Sequence, residues 1–436
     1  MKFMYLCTAF MSTQPLHNLF HSDLIKNSGK LLSANVIAQA ISLLIYPVLT
    51  RIYSQADFGL LNLYSSIVAI IVILSTAQYQ YAIPIPKDNN ISRGSFHVGL
   101  IVLLLCTILL ILLLPFSHPV ASVFNAPELA HYLWLVPVSV LFLGFWQLLN
   151  YWYTRQKNFN SISGFQISQT LFSAGGKLGM GWMGKAGGLL YASAFAPMLS
   201  VLFSVIAHRK CLKPLMEFHK EYCYQAAKQF KNFPLFTMPR GVINNFSNNL
   251  PALLLTSYFG LNKVGLWGMA MTLSFIPINI IAGSLYQVFF QRIAERVNAK
   301  QSIRSFFRRY WLWATLISLV LFAILFVVLP DLSEWLLGSG WRLTGEFIRW
   351  MLPWLCLTIL LSPHGYLPDL FYKQRIELFF EIALFVVRIV ALVVGIHLSD
   401  FTLAIAGYCL GSAFVKMAMF IWYGCIIEKY ERLIAE

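Results

Sequence analysis

Charge is what this chain has least of. Only 11% of its 436 residues are charged and just 17 are acidic, whereas a soluble protein carries roughly 25% charged residues. There is no DxD pair, no glycine-rich nucleotide loop, and no large segment between apolar runs that could hold paired carboxylates. That excludes a nucleotide-driven pump within a single chain and argues against a glycosyltransferase or polymerase; no enzyme activity and no cofactor are expected. Cysteine is also uninformative. Cys7, Cys106, Cys211, Cys223, Cys356, Cys409 and Cys425 contain no CxxC pair, so neither a disulfide framework nor a redox motif is expected. His208, Cys211, His219 and Cys223 fit no zinc spacing, and no metal is expected. A basic helix lying on an anionic leaflet is the reading adopted for that segment.

What the chain has in abundance is apolar sequence, 58% of its residues, gathered in blocks of about 20, the length a helix needs to cross a bilayer. The expected fold is all-α and polytopic, with about twelve spans at 31–50, 58–83, 96–117, 129–153, 160–183, 187–207, 233–258, 264–290, 311–331, 346–371, 376–396 and 401–426. The opening MKFMYLCTAF has one lysine and no convincing small-residue cleavage site, so it is not read as a removed signal peptide; starts at Met1 and at Met11 both fit.

The net charge of +15 sets orientation rather than a nucleic-acid partner. With the N-terminus inside, the inner segments collect Lys26 and Lys30, Lys87 and Arg93, Arg155 and Lys157, the run Arg209 to Lys231, the run Arg292 to Arg309, Lys373 and Arg375, and Lys429 and Arg432. The outer loops hold Arg51, Lys185, Lys263 and Arg342. By the positive-inside rule both termini are cytoplasmic. The parts are then a cytoplasmic segment 1–30, an N-lobe 31–207, a cytoplasmic linker 208–232, a C-lobe 233–426 and a tail 427–436. Six spans is an even number, so the second six re-enter from the same side, as parallel repeats with a cleft between them.

The sequence supports that repeat. Leu49-Thr50-Arg51-Ile52-Tyr53 aligns with Leu255-Thr256-Ser257-Tyr258-Phe259, and Phe58-Gly59-Leu60 with Val264-Gly265-Leu266, both at an offset of 206. The second pair of spans, around Phe233 to Gln291, is expected to turn through Leu261-Asn262-Lys263. Pro47, Pro239, Pro251, Pro277, Pro353, Pro363 and Pro368 sit in or near spans, where each frees a carbonyl and permits a bend.

Polar groups inside the spans fall on stripes. Asn35, Gln39, Ser42 and Tyr46 share one face of span one, and Arg240, Asn244, Ser247 and Asn248 one face of span seven. Hydrocarbon cannot satisfy such a stripe, so it faces protein or water. Four cations lie within spans: Lys177, Arg240, Arg388 and Lys416. Arg240 and Lys177 are near enough to span ends to snorkel; Arg388 and Lys416 are deeper and are expected to line a hydrated pocket. Asp369 and Glu381 are the inner-half acids available for ion coupling, although Glu381 could equally serve to neutralise Arg388. Two acids cannot balance four cations, and a net positive interior suits an anionic cargo.

SANVIAQAISLLIYPVLTRIYSQADFGLLNLYSSI, YAIPIPKD, FPLFTMP, NNLPALLLTSYFGLNKVGLWGMA and LLGSGWRLTGEFIRWMLPWL, in that order on a twelve-span plan, resemble the oligosaccharide (O-antigen type) flippases of the multidrug/oligosaccharidyl-lipid/polysaccharide exporter superfamily. The resemblance implies a V-shaped pair of six-helix lobes in the bacterial inner membrane. It implies transport of an undecaprenyl-pyrophosphate-linked glycan (O-antigen, capsule or exopolysaccharide unit) driven by an H+ or Na+ gradient. Membrane lipids, a polysaccharide polymerase and chain-length proteins are the implied partners. A cation/drug antiporter of the same superfamily, or a non-transporting membrane subunit of a glycan assembly complex, are the alternatives; the first would favour acidic cavity groups, and the second would not need buried cations.

Overall fold

The computed structural model describes residues 23–185, 187–299, 301–371 and 373–435. Residues 1–22, most of the N-terminal segment and with it the choice between Met1 and Met11, lie outside them. Among the described residues twelve long helices follow one another. The first six are α1 (Asp23–Ile52), α2 (Gln55–Ser75), α3 (Asn89–Leu112), α4 (Leu135–Arg155), α5 (Phe159–Trp182) and α6 (Gly188–Ala207). A 61-residue element, Met238–Asn298, is broken at Gly260 into α7 (238–259) and α8 (261–298). The rest are α9 (Arg304–Leu337), α10 (Arg342–Leu361), α11 (Gln374–His397) and α12 (Phe401–Ala435). Among the described residues ten stretches are long and apolar enough to cross a membrane. Among them Phe233–Gly283 runs to 51 residues, the length of two spans, and α5 falls outside the ten because of its polar content.

The break between α7 and α8 comes at Gly260, one residue before the expected Leu261-Asn262-Lys263 turn. Its φ of 79° and ψ of 169° lie in a region open only to glycine, so the backbone bends where a side chain is absent. At the equivalent place in the first half, α2 starts on a capping box: the Ser54 side chain accepts from the Asp57 amide, and the Asp57 carboxylate accepts from the Ser54 amide at 2.9 Å.

Both halves are packed alike. In the first, α1 packs on α5, α5 on α6, α6 on α4, α4 on α3, and α2 on α4. In the second, α11 packs on α12, α12 on α10 and α10 on α9, while α7–α8 packs on α10 and α11. The parallel repeat is thus real in three dimensions, and its axis can be located. A Cβ on Gly59 would run into the carbonyl oxygen of Leu261, and a Cβ on Gly265 into that of Gln55. Gly59 and Gly265 are partners at the offset of 206, and so are Gln55 and Leu261. A contact in which i meets j′ and j meets i′ is the signature of a two-fold axis.

Around that axis one end of the molecule is closed. The Gln55 amide donates to the Gly340 carbonyl at 2.7 Å, and Phe58 meets Trp341 edge-on with centroids 5.4 Å apart. Asn125 donates to the Ser257 carbonyl at 2.7 Å, while the Ser257 hydroxyl returns to the Val123 carbonyl at 3.0 Å. At the other end the halves meet through α2 and α7, where Gly241 faces Ile73, and Tyr81, beyond the end of α2, lies 6.2 Å from Phe233, ahead of α7.

The linker is seated on protein rather than simply laid on a lipid surface, a correction to the sequence reading. Arg93 of α3 pairs with Glu217 at 3.0 Å, His97 bonds the Leu215 carbonyl at 2.9 Å, and Trp152 donates to the Cys211 carbonyl at 3.1 Å. Gly94 lets the chain at Tyr222 approach the α3 backbone. Short polar contacts of this kind hold a segment that hydropathy alone would leave at the interface. Among the described residues no cluster of His, Cys, Asp or Glu could hold a metal.

Candidate functional site

Arg388 is 2% exposed, at the centre of the second half. Its Nε donates to Ser412 Oγ at 2.9 Å, and its Nη1 donates to Ser247 Oγ at 3.1 Å and Asn248 Oδ1 at 2.9 Å. The guanidinium also lies over Tyr408 at 4.8 Å and Trp354 at 5.1 Å from the ring centroids. Four helices, α7, α10, α11 and α12, converge on one side chain. The expectation that Arg388 lines a hydrated pocket is therefore corrected. Its charge is compensated by three hydroxyl or amide oxygens and two aromatic faces, which do for it what water was expected to do.

Glu381 does not pair with Arg388. Its carboxylate accepts from Asn244 at 3.1 Å, Asn244 Oδ1 accepts from Asn248 at 3.2 Å, and Asn248 Oδ1 accepts from Arg388. The asparagine stripe on α7 thus forms a chain of hydrogen bonds connecting the acid to the guanidinium. Lys416, half-buried on α12, lies within electrostatic range of both Arg388 and Glu381 and forms no ion pair with either. Arg240 is exposed near the start of α7, on the same helix as the exposed Asn244 and Asn248, and has no partner among the described residues. The side chain of Asp369 lies outside the described residues; its backbone is in a short helix, Leu367–Leu370.

In the first half the polar stripe of α1 meets one on α5 that sequence reading passed over. Gln166, Gln169, Thr170, Ser173 and Lys177 recur at helical spacing. Ser42 and Tyr46 of α1 line a cavity of about 170 Å³ with Gln169, Thr170, Ser173 and Lys177. A second cavity of about 220 Å³ shares Tyr46 and Lys177 and adds Asn62, Ser65, Ser193 and Thr272. Neither lining contains a carboxylate. Gln39 is half-buried with its Oε1 unpartnered, as is Oε1 of Gln166, while Asn35 is half-buried closer to the start of α1. The offset of 206 carries Ser42, in the lining with Lys177, onto Asn248, which holds Arg388. Lys177 and Arg388 therefore sit on corresponding helices, α5 and α11.

A fifth intramembrane cation, Arg349 on α10, was missed. Pro330 of α9 lacks the amide that would bond the Phe326 carbonyl, and Arg349 Nε donates to that oxygen while Nη2 donates to the Val327 carbonyl at 3.0 Å. Other prolines are served in the same way. Tyr408 donates to the Ser247 carbonyl freed by Pro251, at 3.4 Å, and Tyr310 donates at 2.7 Å to the Ile359 carbonyl four residues before Pro363, an oxygen that also accepts from Ser362.

These features define a multi-pass membrane protein built as two six-helix bundles about a pseudo-two-fold axis. That is the fold of the MOP superfamily. A MOP superfamily transporter from Pyrococcus furiosus, described as having a binding pocket of reversed polarity, matches with a TM-score of 0.60 at 14% identity, covering 97% of this chain and 100% of that one. The lipid II flippase MurJ in an inward closed conformation matches with a TM-score of 0.71 at 11% identity, covering 94% and 91%. A multidrug resistance MATE transporter in an outward-facing conformation gives 0.56 at 15% identity, covering 97% and 100%. No curated protein matches by sequence. A profile of the family described as polysaccharide biosynthesis protein matches residues 48–344, and the chain belongs to that family.

Proposed function

We propose that the protein is a flippase for a polyprenyl-pyrophosphate-linked oligosaccharide, working by alternating access between its two halves in the bacterial inner membrane with both termini cytoplasmic. The observation that carries this reading is that Lys177, Arg240 and Lys416 lie in membrane-length helices without an ion pair among the described residues. A cation left in hydrocarbon costs roughly 2.5–3.5 kcal/mol on insertion scales, so an anion or water must stand in for the missing carboxylate. A cation-carrying antiporter would require the opposite sign. Membership of the polysaccharide biosynthesis family supports a glycan as the cargo. The closed end, with its α1–α2 and α7–α8 turns, is then the outer face.

Arg240 and Lys416 are assigned to attract the pyrophosphate, and Arg388 to hold the second half together. Glu381, tied to the asparagine chain of α7, is the acid assigned to H+ or Na+ coupling. The test is glycan export in cells lacking the native gene. Arg240→Gln with Lys416→Gln should abolish export at wild-type protein abundance, and Glu381→Gln should alter its pH or sodium dependence. Normal export by the double variant would overturn the cationic pathway.

A further inference from the structure

The cations on these two corresponding helices are in opposite situations. Arg388 is enclosed and supplied with three protein acceptors and two rings. Lys177 borders both cavities and has no hydrogen-bond or ion-pair partner for its ammonium among the described residues. Beside apolar residues such as Phe58, Leu61 and Met269, the cavity walls carry hydroxyls and amides: Tyr46, Asn62, Ser65, Ser173, Ser193 and Thr272. On α1 and α5, three residues before Ser42 and Gln169 of the smaller cavity, are the unpartnered Gln39 Oε1 and Gln166 Oε1. Uncharged hydrogen-bonding groups around one free cation form a receptor for a compact anion, since hydroxyls and amide NH2 groups can donate to its remaining oxygens. At about 220 Å³ the larger cavity falls below the roughly 300–1,000 Å³ of sites for drug-sized ligands. It admits a headgroup and excludes the glycan and the lipid tail.

The same cavity reaches the axis. Phe58, Leu61, Asn62 and Ser65 of α2 and Gly268, Met269 and Thr272 of α8 are in its wall. Phe58 adjoins Gly59, and the others lie two to seven positions after Gly59 or Gly265, where the two helix backbones touch. The glycine contact therefore roofs the cavity on the side of the closed end.

We propose that the Lys177 cavity is a binding site for one pyrophosphate ester, closed on one side by the contact between Gly59 and Gly265. This rests on the flippase reading and adds a place where the headgroup is held just beneath the closed end. Parting α2 from α8 would release it to that side. The site is separate from Arg240 and Lys416, so the two ideas can fail separately.

Binding is measured by isothermal titration of the solubilised full-length chain with inorganic pyrophosphate and with farnesyl pyrophosphate. Both should bind, the ester at least as tightly. Lys177→Gln should weaken both by about tenfold to a hundredfold, the worth of a charge-assisted hydrogen bond, and Lys177→Arg should restore most of the affinity, which separates lost charge from lost folding. Unchanged affinity in Lys177→Gln, or no binding by the wild type, removes the site while leaving the export experiment to judge the flippase reading. Binding of inorganic pyrophosphate without the ester would make it a free-anion site and overturn the assigned ligand. For the roof, Lys177→Cys is labelled in intact cells with an impermeant maleimide, against the parent chain as background. It should be protected when Gly59 is present and become reactive when combined with Gly59→Ala. Equal labelling in both overturns the roof.

Discussion

Arg388→Lys keeps the charge and removes the fork, and the surroundings of Arg388 make that a damaging exchange. The guanidinium serves Ser412 from Nε and Ser247 and Asn248 from Nη1, three acceptors on two different helices. A lysine ammonium places all its donors on one atom and cannot span that spread. Loss of one charge-assisted bond costs about 1.5–3 kcal/mol, and weaker contact with Tyr408 and Trp354 about 0.5–1 kcal/mol more. The sum is roughly 2–4 kcal/mol, or about 4–8 °C in Tm at roughly 2 °C per kcal/mol for a large domain. Arg388→Met should fall in the same range, because it also removes the cost of burying a charge and so offsets part of what it loses. The assay is thermal unfolding in detergent followed by tryptophan fluorescence. A cargo-attracting role predicts the reverse: Lys would be tolerated and Met would abolish export at unchanged Tm. Arg388→Lys melting with the wild type while Arg388→Met loses only transport would refute the structural role assigned here.

Arg349→Leu should cost about 1–3 kcal/mol, because the Phe326 carbonyl loses its donor. In a Pro330→Ala background the same change should be nearly silent, since alanine restores the helical amide; a full penalty in that background, measured by a double-mutant cycle of Tm, would disprove the pairing. Reporter fusions after Glu436 and within 208–232 should read cytoplasmic, and fusions near Asn125, Gly338 and His397 external. An external reading from the linker would invert the orientation and place the closed end inside.

The spans were legible because hydropathy is local, and the repeat because helices that meet at an axis keep matching residues there. Phe58-Gly59-Leu60 against Val264-Gly265-Leu266 was the visible trace of the contact that locates the axis. The role of Arg388 was not legible. Its partners Ser247 and Asn248 lie about 140 positions away, and nothing in α11 announces that two serines and an asparagine will surround it. Depth in the span was read as exposure to water, when burial among hydrogen-bonding groups satisfies the same requirement. Arg349 was passed over for a similar reason: the carbonyl it serves is made available by a proline on another helix. The polar face of α5 was present in the sequence, and its low hydropathy was the signal that could have found the Lys177 cavity.

Next to the axis, Asn62 and Gly268 also stand at the offset of 206, and they differ as much as two residues can in what they put forward. A Cβ on Gly268 would come within 2.6 Å of the Asn62 amide nitrogen, which reaches toward the Val264 carbonyl at 3.4 Å. One helix supplies the filling and the other the hollow. Two copies of either residue would fail here: paired asparagines would collide, and paired glycines would leave a gap. The two halves therefore behave at this point as plug and socket, a fit available only to a protein whose two repeats are free to change independently.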